Sequence, residues 1–288
     1  MSILKREEKV ETFIDYFLFV TFFPQLVAGP IVLYSEMMPQ FKDDKRRKID
    51  YDNIALGIYI FVIGLFKKIV IADTLAVFVN NGFGNTSALG LLPAWIISLS
   101  YTFQIYFDFS GYSDMAIGIG KMFNIDLPIN FNSPYKSKSI SEFWKRWHMT
   151  LGRALANYIY IPLGGNRKGK TRTYINLFIT FLVSGLWHGA AWSFVLWGAL
   201  HGLFSILDRV FNKFLIKFPP FLKTVWTFLI INFLWVLFRA NSMTEAYGIY
   251  KGMFNINNLG LNHFASIVND GIIGFPNAIS IIIVAIML

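Results

Sequence analysis

The sequence contains no cysteine, which excludes disulfides, thiolate-ligated zinc and a cysteine nucleophile at once. It is also short of charge. Only 15% of its 288 residues are Asp, Glu, Lys or Arg, where a soluble domain carries about 25%. With 55% hydrophobic residues and a mean hydropathy of +0.50, the deficit reads as an integral membrane protein. No signal peptide is visible, because the first ten residues are charged and the apolar run behind them lacks a small-residue cleavage site. The remaining charge is lopsided, net +9 with a pI near 9.6. The positive residues cluster in loops, so cytoplasmic orientation accounts for them and no nucleic-acid partner is expected.

What is abundant is aromatic and apolar: 30 Phe, 8 Trp and several long apolar runs. Residues 13–34 form the first, interrupted by Pro24 and Pro30, so a span that breaks near one end is expected rather than a straight helix. Residues 54–79 form the next, carrying Lys67, Lys68 and Asp73. Residues 91–119 form another, carrying Asp108 and Asp114. The basic loops 42–48 and 121–173 outweigh the uncharged 80–90 loop, which sends both to the cytoplasm, two spans apart. Residues 174–207 lack any charged side chain. A straight helix of that length would be roughly 50 Å long, beyond a ~30 Å hydrocarbon core. Two segments, broken around 185–191, are expected instead. Residues 221–238 make a further span, and the apolar run 279–288 is too short to cross. Both ends of the chain look cut. No repeat and no soluble domain is seen.

Within the polar stretch, Ser139-Ile140-Ser141-Glu142 is a capping box. On a helical wheel Phe143, Trp144, Trp147, Leu151, Ala154 and Leu155 share one arc, opposite Lys145, Arg146 and Arg153, with His148 at the margin. An amphipathic helix at the membrane surface or a cavity mouth is expected.

The candidate chemistry is histidine. His188 lies in the charge-free run, between Gly185 and Gly189 and beside Trp187 and Trp192. A polar group in hydrocarbon costs several kcal/mol unless satisfied, so an intramembrane imidazole is a functional candidate; the bland alternative is a packing histidine bonded to a carbonyl. His148 is as easily a solvated or headgroup-facing residue as a catalytic one. A neutral imidazole can take a proton from an alcohol and return one to a leaving group. His201 reads as an interhelical hydrogen-bonding residue, His263 as a loop residue, and the four histidines match no metal spacing, so no metal is expected. Asp108 and Asp114 serve as relay carboxylates or pair with cations of the polar loop. Lys67 and Lys68 anchor an anion or snorkel to the interface. The run 163–170 (LGGNRKGK) lacks P-loop spacing; it offers backbone N–H groups and positive charge to a phosphate-bearing donor, or is a plain cytoplasmic turn.

Six stretches, in order, carry a resemblance: 22–34 (FFPQLVAGPIVLY), 64–73 (GLFKKIVIAD), 106–120 (YFDFSGYSDMAIGIG), 130–151 (NFNSPYKSKSISEFWKRWHMTL), 158–166 (YIYIPLGGN) and 185–202 (GLWHGAAWSFVLWGALHG). Together they resemble the membrane-bound O-acyltransferase (MBOAT) family in its alginate O-acetyltransferase-like branch. The 158–166 block favours that polysaccharide-acetylating branch over the D-alanine-transferring one, while 152–157 (GRALAN) departs from the family's usual Ser-x-Trp-x-Arg-Asp-like run. The resemblance implies an all-α, multi-pass transmembrane bundle with broken and interfacial helices around a central acyl-transfer tunnel, in the bacterial inner membrane. It implies one domain over 1–288, expected to be incomplete at both ends. Implied catalytic residues are His188, as base toward the acceptor hydroxyl, and His148, which orients or protonates at the thioester. Lys145, Arg146, Asn166 and Arg167 are expected at the acyl donor, acetyl-CoA or another acyl thioester, with no bound cofactor. Expected partners are membrane lipid, a polysaccharide acceptor and periplasmic acetyl-transfer proteins. Competing readings are a transporter or proton-relay protein, D-alanyl-type cell-wall acyl transfer, and an inactive truncated paralogue.

Overall fold

The computed structural model describes residues 12–25, 29–87, 89–211, 214 and 217–260; His263 and the apolar run 279–288 lie outside them. The described residues are helical, with no strand among them. Helix α1, Phe13–Thr21, starts on Thr12, whose hydroxyl accepts from the Asp15 N–H at 3.1 Å. Pro24 then sits in a short 3-10 turn, Phe23–Gln25, and the chain is non-helical before α2, Tyr34–Lys42. The 13–34 run is therefore divided by its prolines well before its end.

Helix α3, Tyr51–Phe66, continues through a π-helical stretch, Lys67–Ala72, into α4, Asp73–Gly84. The rod spans 34 residues and its most apolar stretch has a mean hydropathy of 2.2, long and apolar enough to cross a bilayer. Helix α5, Leu91–Met122, runs antiparallel to it over 32 residues. Glycines set the seam: a Cβ on Gly57 would lie 2.5 Å from the Gly118 carbonyl, and one on Gly64 would lie 2.5 Å from the Gly111 carbonyl. Beside the seam, a π turn carries an extra residue and re-aims its side chains. Lys67 Nζ meets Asp114 at 2.7 Å, while Lys68 Nζ bridges Asp73 at 2.7 Å and Asp108 at 2.6 Å. The lysines and aspartates thus neutralise one another between packed helices, rather than snorkelling or reaching the polar loop.

Helix α6, Ile140–Arg146, and helix α7, Met149–Leu155, are short. Helices α8, Gly169–His188, and α9, Trp192–Val210, form the expected broken pair, parted at 189–191. Gly198 brings them close, since its Cβ would lie 2.5 Å from the Phe181 carbonyl. Helix α10, Pro220–Arg239, is the second rod that meets the length and apolarity needed for crossing. It docks on α5 through Asn232, which accepts from the Thr102 hydroxyl at 2.8 Å and donates to Ser98 Oγ at 3.2 Å. Helix α11, Met243–Met253, closes that end, its last carbonyl accepting from Trp95 Nε1 at 3.0 Å. The largest apolar cluster joins α5, α6, α9 and α10 through Phe143, Trp147, Trp197 and Trp235.

The C-terminal end of α5 is pinned by charge. Asp126 pairs with Lys121 and, at 2.9 Å, with Arg46. The Lys121 hydrogen bond, reinforced by Arg46 against some burial, holds this carboxyl below its ordinary range. A depressed carboxyl stabilises the fold above its unfolded pKa and loses that contribution as pH falls through the folded one. Asp126→Asn is therefore expected to lower thermal stability in detergent modestly at neutral pH, with the difference from the parent vanishing in strong acid.

Candidate active site

The helix expected to run unbroken through 155 breaks at its histidine. Ser139 caps α6 as expected, accepting from the Glu142 N–H at 3.0 Å. After Trp147, however, His148 takes a left-handed backbone, φ 44, and α7 starts afresh. A non-glycine residue there costs about 1–3 kcal/mol and persists only where surroundings enforce it. They do: the Met149 N–H donates to the Asn130 carbonyl at 3.0 Å, and the Asn132 N–H donates to the Arg146 carbonyl at 2.9 Å. The Asn130 side-chain oxygen lies 3.2 Å from His148 Nδ1 and also accepts from the Thr150 N–H at 3.2 Å and the Thr150 hydroxyl at 2.8 Å. Phe109 of α5 packs edge-on against the imidazole, centroids 4.7 Å apart. So His148 is not the marginal surface residue of the wheel; it is 6% exposed.

His188 is the last residue of α8, at the break the sequence anticipated. Its ring contacts Phe238 at 5.0 Å, Trp197 at 5.4 Å and Phe194 at 6.3 Å. Among the described residues no side chain or carbonyl hydrogen-bonds to it, which removes the expected bland partner. Trp197 also touches His201 at 4.7 Å and Trp144 at 5.6 Å, linking the three rings to His188. His148 lies in the joint between α6 and α7. Burial, and to a smaller degree the His188 imidazole, push it below its ordinary pKa. His201 keeps its bland role: fully buried, it accepts from Trp144 Nε1 at 3.1 Å.

A cavity of about 680 Å³ opens between α6, α7, α8 and α9. His148, Trp144, Lys145, Ser184 and Arg209 line it. His188 does not, although Ser184 stands one turn before it on α8. Of the expected donor-binding residues, only Lys145 reaches this cavity. Arg146 is turned away into a 2.8 Å pair with Glu142. Asn166 and Arg167 are exposed on the turn before α8, outside the cavity. That turn is held by Asn176 Nδ2, which donates to the Gly165 carbonyl at 2.9 Å. Asn130, Asp208 and Arg209 escaped the sequence reading. Asp208 accepts from the Ser141 N–H at 3.1 Å and so anchors the start of α6. Asn130 stood inside a matched stretch, but a lone loop asparagine has no periodicity to betray it.

Residues 4–244 match the model of MBOAT, the membrane-bound O-acyltransferase family. The chain belongs to that family. It is 53% identical over 272 residues to a peptidoglycan O-acetyltransferase of Helicobacter pylori, covering 91% of this chain and 52% of that protein. It is 44% identical over 245 residues to a "Probable alginate O-acetylase AlgI" of Pseudomonas aeruginosa, covering 84% of this chain and 46% of that one. A teichoic acid D-alanyltransferase of Bacillus subtilis is similar at 28% identity, over 73% of this chain and 55% of that one. The chain thus spans about half the length of the curated relatives it matches. The relatives' names follow the ranking expected from the 158–166 block, with the acetyltransferases well above the D-alanyl enzyme.

Proposed function

We propose that this chain carries the catalytic centre of a multi-pass membrane O-acetyltransferase of the bacterial inner membrane. In this reading it moves an acetyl group from a cytoplasmic thioester to a hydroxyl of an exported or cell-wall polysaccharide, directly or through a periplasmic transfer protein. The observation that carries it is the arrangement of two histidines, His148 on a wide cavity and His188 behind the Trp197 layer, in a chain of an O-acyltransferase family. The cavity, with Lys145 and Arg209 at its wall, takes the donor, and the cations suit its phosphates. The tunnel implied for the family then runs from this cavity past the indole layer toward His188. His188 accepts the proton of the acceptor hydroxyl, whose oxygen attacks the thioester carbonyl carbon. The C–S bond breaks, and the proton that His188 took is passed on, through His148 Nε2, to the departing thiolate, so both imidazoles end the turnover neutral and protons balance.

A transporter has less support, because Asp73, Asp108 and Asp114 are all engaged by Lys67 and Lys68. The test is acetyl transfer by membranes holding the full-length protein, using radiolabelled acetyl-CoA and peptidoglycan, the acceptor named for the 53%-identical relative. Label is expected in the polymer. Label in neither peptidoglycan nor an alginate-type polymer would count against the reading. Lys145→Ala is expected to raise KM for the donor several-fold and leave kcat within about twofold, the signature of lost uniform binding.

A further inference from the structure

Asn130 decides which nitrogen of His148 is free, an inference that rests on the reading of His148 above. The asparagine is 1% exposed and lies outside any helix. An amide can ordinarily be flipped without changing its shape, and its hydrogen bonds must settle the assignment. Here they do. The Thr150 backbone N–H can only donate, so the atom it meets at 3.2 Å is oxygen. The Thr150 hydroxyl agrees: it accepts from the Ile31 N–H at 3.0 Å, so its own proton is left for Asn130 Oδ1 at 2.8 Å. Opposite that oxygen, at 3.2 Å, stands His148 Nδ1. A nitrogen facing a carbonyl oxygen must carry the proton, and a neutral imidazole protonated at Nδ1 keeps its lone pair at Nε2.

We propose that Asn130 is a positioning residue that locks His148 in the Nδ1–H tautomer, making Nε2 the nitrogen that exchanges a proton with substrate. His148 then begins each turnover as a proton acceptor at Nε2, and can donate there only after it has received one. The same asparagine holds the left-handed turn, because its carbonyl accepts from the Met149 N–H. One residue therefore sets both where the ring sits and which atom it offers. The Asn130 carbonyl contact is backbone and survives side-chain substitution, so the two duties are separable.

The decisive measurement is nitrogen NMR of the full-length protein labelled at its histidine rings, with His148 assigned by its loss in His148→Gln. An Nδ1–H resting tautomer is expected; a predominant Nε2–H tautomer would overturn the proposal, whatever any variant does. Kinetics with radiolabelled acetyl-CoA supply the second arm. Asn130→Ala is expected to lower kcat about ten- to hundredfold with donor KM within about twofold, and Asn130→Asp, which keeps an oxygen opposite Nδ1, to recover most of it. Full kcat in Asn130→Ala beside an inactive His148→Ala removes Asn130 alone. An active His148→Ala removes the reading of His148 itself.

Discussion

Replacing His188 with alanine is expected to abolish acetylation while the protein still inserts into the membrane. A positioned general base contributes about 10²–10⁴-fold, and the other proposed proton acceptor, His148, is held at the donor cavity by Asn130 and Phe109 rather than at the His188 ring. The rings around His188 are Trp187, Phe194, Trp197 and Phe238, none of which takes up a proton. His201 is not a substitute, because its Nδ1 is committed to the Trp144 indole and the residue is fully buried. Truncation to alanine also empties an aromatic pocket, which costs stability, so His188→Gln is the companion variant that keeps bulk and polarity. Both should insert and accumulate, as judged by membrane fractionation, and both should fail to label the polysaccharide. Acetylation retained in either one removes His188 from the mechanism.

The second large effect is structural and lies on the other side of α5. Gly118→Leu is expected to prevent stable accumulation of the protein. A Cβ at Gly118 would lie 2.6 Å from the Gly57 carbonyl and 2.8 Å from the Phe61 nitrogen. These are backbone atoms that cannot swing aside. In a bilayer, where lipid tails are as apolar as the side chains, such close backbone approach is what holds two spans together. Gly64→Leu meets the Gly111 carbonyl and the Met115 nitrogen in the same way. Overpacking a well-filled contact costs about 1–3 kcal/mol, and a backbone-on-backbone clash also moves Lys67 and Lys68 off their aspartates. Gly84→Ala is the control. Nothing lies within 4 Å of a Cβ there, and replacing a helical glycine gains up to about 1 kcal/mol. Yield and thermal midpoint in detergent should fall sharply for the first two variants and hold for the third. Equal behaviour of Gly118→Leu and Gly84→Ala would show that the seam is not tight.

The sequence by itself determined the elements whose cause is local. Charge deficit and apolar run length made the chain a helical membrane protein. Pro24 and Pro30 broke the first run, and the length of the 174–207 run required the break that leaves His188 at a helix end. The order of six stretches carried the family. What the tertiary structure decided was which polar groups meet. A wheel drawn through 143–155 assumes unbroken helical backbone, and His148 leaves that backbone because Asn130 and Asn132 bind the turn from outside the helix. Lys67 and Lys68 found carboxylates on the neighbouring helix α5 because a π turn re-aims them, and no periodic pattern encodes a π turn. Asn166, Arg167 and Arg146 had the right charge or polarity for a donor site, yet only Lys145 faces the cavity. Side-chain direction at a site is set by what packs against it from distant parts of the chain, and here those parts are α5, the loop holding Asn130, and α9.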